Sequence, residues 1–457
     1  MNPVFNKVFG DLLMVQNFLP KMKKKRSDKT HNCSIIQFIF SFIWTISIIS
    51  WILLTILQVI ENRSLSAQIY LFFCIGLYLT GLKIFREKFF LSSFKIWDTP
   101  LKVNHYLVNT LCTMGFIGGI FNVINAGGIS GDLVATREEH IAKLYAGETH
   151  VASIFTYIEQ YGLGLGLIGI TLVFWTSQKL RNQISFLGLG LIGYVLSSLT
   201  SGGRILITIA IVNTLLGLIL RKINLILAHK KLSLIGFSIL LLGIIFFLVS
   251  WGASRGDLDL FALFAKKVGI YTDNISNILE FIGVARGGDL NYQLTNVFST
   301  ILYYLSSGLF NFQPFYDQYD INPLLGGYQF SIVSTSGIPL IGGHDWLSWK
   351  KDIEDIYKQS GLLSNVWGTF VRDFIIDFGF YLTPLFCFLT GSLSSYIEIK
   401  AFKSPAHLFL FIQLSVWILV SPFYSLFLLR PFQLSVMMTI LWRLGEKLWL
   451  SRVYGDK

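Results

Sequence analysis

The feature that most constrains this chain is a series of apolar runs, each long enough for a helix to cross a lipid bilayer. They lie at residues 35–60, 67–85, 105–126, 155–176, 184–200, 204–220, 232–251, 374–396, 405–422 and 425–442. Only 14% of the residues are charged, whereas soluble domains have about 25%. Backbone polar groups in lipid must pair within their own helix. The sequence therefore predicts an all-α polytopic integral membrane protein with about 10 (10–12) transmembrane helices.

The distribution of basic residues predicts the orientation of these helices. Residues 1–34 hold a basic cluster between Lys21 and Lys29, and positive charge stays in the cytoplasm. When the runs alternate from this start, the cytoplasmic segments contain most of the 37 Lys and Arg residues. Both termini are therefore predicted to be cytoplasmic. The net charge of +11 reflects this bias and does not indicate binding to nucleic acid.

The same alternation divides the chain into segments around one long polar interval. We expect this interval to lie outside the cytoplasm and to roof a site formed at its two ends. Its apolar stretch 296–310 is expected to be a re-entrant or surface helix. The segments are a cytoplasmic N-terminus (1–34), a seven-span region (35–251), the large loop (252–372), a C-terminal transmembrane region (373–442) and a cytoplasmic tail (443–457).

Arginines on the predicted outer side are unexpected, because basic residues are normally enriched on the cytoplasmic side. Each of them is therefore a candidate for a functional role. Arg204 follows the turn Thr200-Ser201-Gly202-Gly203 at the start of a span. Free N–H groups and the dipole at a helix N-terminus attract anions, and the two glycines let a ligand approach the backbone. We therefore expect a phosphate site at Arg204. The alternative is a glycine-rich hairpin whose arginine reaches to water.

Arg255 and Arg137 are weaker candidates of the same kind. Arg255 follows a span, and its alternative role is an ion pair with Asp257 or Asp259. Arg137 lies in a charged segment that is also typical of a solvated helix face. Arg286 is expected to lie in a loop turn.

Two acids, Asp373 and Asp377, lie near the predicted outer end of the run 374–396. They are four residues apart and share one face of a helix. Asp373 also complements the dipole of a helix N-terminus. Asp377 is expected to lie one turn deeper, where a charge usually faces a polar cavity. Either acid is a candidate general base, and the alternative for Asp377 is an ion pair with Arg372 or an arginine of another span.

The remaining polar residues give fewer constraints. Glu159, Asn122 and Asn125 lie near the outer ends of spans, and His344 in the loop is a less favoured base. No nucleotide-binding glycine loop or His-Glu-x-x-His motif is present. The four cysteines lack metal-ligand spacing and are expected to be free thiols. The sequence thus predicts no metal and no cofactor.

Several segments together resemble the O-antigen and oligosaccharide repeat-unit polymerases (Wzy-type) of bacterial surface-polysaccharide pathways. With the large outer loop, the resemblance covers about residues 110–400. The segments are Ser201-Gly202-Gly203-Arg204, Ser254-Arg255-Gly256, Tyr303-Tyr304-Leu305-Ser306-Ser307-Gly308, Asn365-Val366-Trp367 and Asp377-Phe378-Gly379.

The resemblance implies a metal-independent glycosyltransferase of the bacterial inner membrane, with a C-type glycosyltransferase-like architecture and its active site facing the periplasm. It would transfer a growing glycan from undecaprenyl diphosphate onto the non-reducing end of an undecaprenyl-diphosphate-linked repeat unit. The implied partners are these lipid-linked oligosaccharides, membrane lipids and a chain-length regulator protein.

The resemblance also assigns roles to individual residues. Asp377 or Asp373 would act as the base, and Arg204 would stabilise the leaving group. The diphosphate would contact Arg204, Arg255, Arg137 and Arg372, and the glycan would contact Asn365, Tyr303 and Tyr304.

Two other functions fit the same topology. An O-antigen ligase also has a large outer loop and arginines, but it transfers the glycan to lipid A–core; the Asp-Phe-Gly ending favours a polymerase. A lipid-linked oligosaccharide flippase or other transporter would be expected to show internal repeats and polar sites at the membrane midplane. A non-catalytic scaffold would leave the outer arginines unexplained.

Overall fold

The chain folds almost entirely into helices in the part that the structure, a computed structural model, describes. No strand is present among those residues. The described residues are 34–56, 65–90, 101, 103–128, 154–176, 180–201, 205–221, 305–309, 311–319, 323, 355, 368–422, 426 and 429–454. The helices are α1 (Ile35–Ile56), α2 (Leu65–Phe90), α3 (His105–Asn125), α4 (Ile154–Leu172), α5 (Leu180–Ser201), α6 (Ile205–Arg221), α7 (Phe370–Lys400), α8 (Pro405–Val420) and α9 (Arg430–Tyr454).

The described residues confirm the predicted helical fold, and several of their helices have the length and apolar character of transmembrane helices. Among the described residues, six helices (α1 to α5 and α7) are long and apolar enough to cross a membrane. Helices α6 and α8 are apolar but shorter. The run at 232–251 lies outside the described residues, and the count of about ten spans stays a prediction.

Helices α3, α4 and α5 pack tightly because glycines face one another across their interfaces. A Cβ atom built on Gly115 would lie 2.8 Å from the Cα of Gly166, and one built on Gly119 would lie 2.4 Å from the carbonyl oxygen of Gly193. Side chains at these positions would separate the helices. Small residues allow the close backbone approach that drives helix association in lipid.

Helices α2 and α7 form a second tight pair. A Cβ atom on Gly391 would clash with the carbonyl oxygen of Tyr78 at 2.0 Å. The hydroxyl group of Tyr78 donates to Ser394 Oγ at 3.1 Å, and that of Tyr70 donates to the Phe380 carbonyl at 2.5 Å. The two helices therefore run parallel to each other through this interface.

Helix α7 is a hairpin rather than one straight span. Tyr78 contacts two positions of α7 that are 24 residues apart. Its ring lies 5.7 Å from the Phe370 ring, and its hydroxyl group donates to Ser394 Oγ. In a straight helix, positions 370 and 394 would be about 36 Å apart. The chain must therefore turn back between them, and it does so at Gly379, whose φ of 70° and ψ of 172° are non-helical. We call residues 370–378 the short arm and residues 380–400 the long arm.

The long arm defines two sides of the molecule. At its far end the Glu398 carboxylate accepts hydrogen bonds from Ser34 Oγ at 2.5 Å and from the backbone N–H of Ile35 at 2.7 Å. The start of α1 thus lies at the same end as Glu398, and the Gly379 turn lies at the other end. The basic residues Lys400 and Lys403 also lie at the Glu398 end. This is the distribution expected of a cytoplasmic side.

Candidate functional site

The short arm of α7 begins inside the helical bundle, against the last residues of α8. The backbone N–H of Phe370 donates to the Ser421 carbonyl at 3.0 Å, and Thr369 caps the arm through its side chain. The Phe370 ring packs edge-on against Trp44 and Trp417. The positive end of one helix dipole therefore meets the negative end of another, deep in the structure.

Arg372 and Asp373 form a buried ion pair in the first turn of this arm. Arg372 Nη2 and Nε lie 2.8 Å and 3.1 Å from the same carboxylate oxygen, Oδ1 of Asp373. The exposed fractions are 1% for Arg372 and 2% for Asp373. A buried charge costs several kcal/mol unless it is paired. Asp373 therefore neutralises Arg372 and holds the guanidinium group in one orientation.

Gly368 provides the space that this guanidinium group occupies. A Cβ atom built on Gly368 would lie 2.3 Å from Cζ of Arg372 and 2.4 Å from Nη1. Any side chain at position 368 would have to displace the ion pair. The requirement for glycine here is steric, since the arginine lies directly against the backbone.

Asp377 lies at the end of the short arm nearest to the Gly379 turn, and it is fully buried. Tyr319 directly follows the helical segment 311–318. It packs beside Asp377, and its hydroxyl group donates to the Ile376 carbonyl oxygen at 3.4 Å. Burial and the nearby Asp377 carboxylate raise the pKa of Tyr319 well above its usual value. The segment that covers Asp377 thus comes from the long interval between the seventh and eighth apolar runs.

Aromatic side chains from three parts of the chain surround the Gly379 turn. Tyr70 and Tyr316 lie 5.4 Å apart between ring centroids, and Phe380 packs against Tyr70, Tyr316 and Tyr319. Pro323 lies against Gly379 itself. This collar joins the hairpin to α2, to residues 311–319 and to Pro323.

The structure corrects the expected direction of the segment that carries the acids. We expected residues 374–396 to be one span that starts at the outer surface, with Asp377 a turn deeper than Asp373. The short arm instead starts inside the bundle and runs toward the Gly379 side, so Asp373 is the deeper acid. The physical reason is the left-handed backbone at Gly379, which reverses the chain.

The structure brings three of the predicted site residues together on the short arm, namely Arg372, Asp373 and Asp377. The other predicted site residues lie outside the described residues. They are Arg204, Arg255, Arg137, Asn365, Tyr303 and Tyr304, together with the less favoured His344.

A second polar cluster joins the ends of four helices. The Glu159 carboxylate accepts from Asn122 Nδ2 at 2.5 Å and from Asn125 Nδ2 at 2.8 Å. The hydroxyl group of Thr200 bonds to the side-chain oxygen of Asn122. Arg430, at the start of α9, is close enough for its charge to act on Glu159. We call these five residues the Glu159 cluster.

The start of α9 contributes Arg430 to the Glu159 cluster. Just before Arg430, the backbone N–H of Leu429 donates to the Leu426 carbonyl oxygen. The sequence indicates Glu159, Asn122 and Asn125 individually as polar residues near span ends. It does not single out Arg430 as a site residue, although an arginine near the end of an apolar run is the available signal.

Comparisons with known proteins found no relative of this chain. No protein-family model matches the chain, and no match was found among curated proteins or among solved structures.

Proposed function

We propose that this protein is a polysaccharide polymerase of the O-antigen type. It would act at the outer face of a bacterial inner membrane, on glycans carried by undecaprenyl diphosphate. The observation that carries the proposal is the short arm of α7, which keeps Arg372, Asp373 and Asp377 almost fully buried, with Asp377 at the end next to the aromatic collar. Ionisable groups at membrane depth are costly and usually serve a function.

In this proposal Asp377 is the general base. It would accept the proton of a hydroxyl group on the non-reducing sugar of the acceptor. The acceptor oxygen then forms a bond to the anomeric carbon of the donor glycan, and the bond from that carbon to the diphosphate oxygen breaks. The products are a lengthened glycan on the acceptor lipid and free undecaprenyl diphosphate, which leaves with the negative charge.

Arginines would stabilise the charge on the departing diphosphate. Positioned cations contribute most where they are already oriented and shielded from water. Arg204, Arg255 and Arg137 are the sequence candidates for this contact. The contact between Arg372 and Asp373 supports a positioning role for Arg372 at the base of the arm, with Asp377 nearer to the substrate.

The covering segment supports the same proposal. Residues 305–309 and 311–319 come from the long interval, and Tyr319 from this segment packs at Asp377. A site roofed in this way excludes water, which strengthens electrostatic contacts with a sugar diphosphate.

Deletion of the gene tests the proposed function. In a strain with smooth lipopolysaccharide, loss of a polymerase should leave core lipid that carries one repeat unit, as seen on a gel. Bare core with polymer retained on undecaprenyl diphosphate would instead identify a ligase. Bare core with single units trapped in the cytoplasmic leaflet would identify a flippase.

A further inference from the structure

The Glu159 cluster has hydrogen-bonding capacity that its own contacts do not use. Glu159 uses one lone pair on each carboxylate oxygen for Asn122 and Asn125, and each oxygen can accept a further hydrogen bond. Asn125 is exposed, and its side-chain oxygen has no partner among the described residues. Spare acceptor capacity therefore remains on Glu159 and on the exposed Asn125.

Arg430 lies at a close contact between α9 and α4, the helix that carries Glu159. A Cβ atom built on Gly164 of α4 would lie 3.3 Å from the carbonyl oxygen of Pro431. Glu159 and Arg430 are each only partly exposed, and their charges interact. No ion pair joins them among the described residues, in contrast to Arg372 and Asp373. A partly buried carboxylate and guanidinium group that remain apart can both bind a ligand placed between them.

An apolar surface lies beside these polar groups. The rings of Phe121 and Phe155 stack with centroids 5.5 Å apart and planes at 19°, and Phe155 remains 44% exposed. Phe155 is one helical turn from Glu159 and therefore on the same face of α4. Beyond Asn125, Gly127 and Gly128 have positive φ angles, and no described atom lies within 4 Å of where their side chains would be.

We propose that Glu159, Asn125, Arg430 and Phe155 form a subsite for one sugar ring. A pyranose carries hydroxyl groups on its edge and an apolar face of C–H groups. The carboxylate and amide oxygens would accept from hydroxyl groups, the Arg430 guanidinium would donate to a neighbouring hydroxyl oxygen, and the sugar face would lie on Phe155. This subsite rests on the proposed function and adds a sugar contact remote from the short arm.

Binding to the full-length protein in lipid nanodiscs tests the subsite. The probe is the organism's own repeat-unit oligosaccharide, released by mild acid from the lipid carrier that accumulates in the deletion strain. Phe155→Ala and Asn125→Ala should each raise the oligosaccharide concentration at half-saturation about tenfold. This is the effect expected for the loss of a stacking contact or of a hydrogen bond to the ligand. Tyr106→Ala is the matched control, because Tyr106 is a 72% exposed aromatic residue at the opposite end of α3.

The melting temperature of each variant separates a binding role from a structural one. Weaker binding at an unchanged melting temperature supports the subsite. Unchanged binding, or weaker binding that only parallels a lower melting temperature, overturns it. If the unaltered protein does not bind the oligosaccharide, the proposed function fails as well. If it binds and both variants bind equally, only the subsite fails.

Discussion

Gly368 and Arg372 are in direct contact, with the guanidinium group of the arginine lying where a side chain on Gly368 would otherwise be. The guanidinium group lies between the Gly368 backbone and Asp373 Oδ1, to which it donates two hydrogen bonds. Its charge is therefore oriented by the fold, which is the condition under which electrostatic groups contribute most to catalysis.

Replacement of Gly368 by alanine should disturb this turn. The new methyl group would lie 2.3 Å from Cζ of Arg372, and overpacking of this kind costs about 1–3 kcal/mol. We expect lower stability in reversible denaturation in mixed micelles and a loss of polymer length in cells. Gly76→Ala is the control, since no described atom would contact its Cβ. Equal behaviour of the two variants would contradict this role for Gly368.

The Gly379 turn should tolerate no other residue. Its φ of 70° and ψ of 172° belong to a region that other residues enter only at a cost of about 1–3 kcal/mol. A Cβ atom would also lie 3.0 Å from Cγ of Pro323. Gly379→Ala should lower the melting temperature and separate Asp377 from Tyr319. Gly445→Ala, in an open position of α9, should change neither property.

The two acids of the short arm should differ in what their replacement does. Asp373→Asn leaves Arg372 buried beside a neutral partner, and breaking a buried ion pair costs about 3–5 kcal/mol. The double variant Arg372→Met with Asp373→Asn should recover much of that stability, because both charges of the pair are removed. Denaturation of the three proteins under identical conditions measures this. If Asp373→Asn alone is as stable as the unaltered protein, the ion pair is not structural.

Asp377→Asn should abolish activity while the protein stays folded. The substitution keeps the size of the side chain and removes the carboxylate that would accept the proton, and general-base catalysis contributes about 10²–10⁴-fold to a rate. Polymer formation by complementation of the deletion strain gives the activity, and insertion of tagged protein gives the control for folding. Full-length polymer from this variant would exclude Asp377 as the base.

The sequence predicted the helices well because hydropathy and charge bias are local properties. The predicted run 105–126 corresponds to α3 (His105–Asn125), and 405–422 corresponds to α8 (Pro405–Val420). The last span was predicted to begin at 425, and α9 begins at Arg430. The starts of these helices differ from the predictions by a few residues. The end of the last helix differs more, because α9 continues to Tyr454, twelve residues beyond the predicted end at 442 and into the predicted tail 443–457.

The sequence could not predict how the site is assembled. Gly379 lies in an apolar run, and hydropathy does not distinguish a helix that continues from one that turns back. Neighbours at i and i+1 do not normally face each other on a helix, so the pairing of Arg372 with Asp373 was not expected. Contacts such as Gln413 Nε2 to Asn213 Oδ1, at 2.5 Å, join residues 200 positions apart.

Reconstitution with a defined substrate tests the central claim most directly. The purified protein in nanodiscs would be supplied with undecaprenyl-diphosphate-linked repeat units, and glycan length and released undecaprenyl diphosphate would be measured together. A polymerase should produce a ladder of glycans, with one lipid diphosphate released for each bond formed. If no ladder forms while the protein is folded, or if the glycan moves only onto lipid A–core, the proposed polymerase function is contradicted.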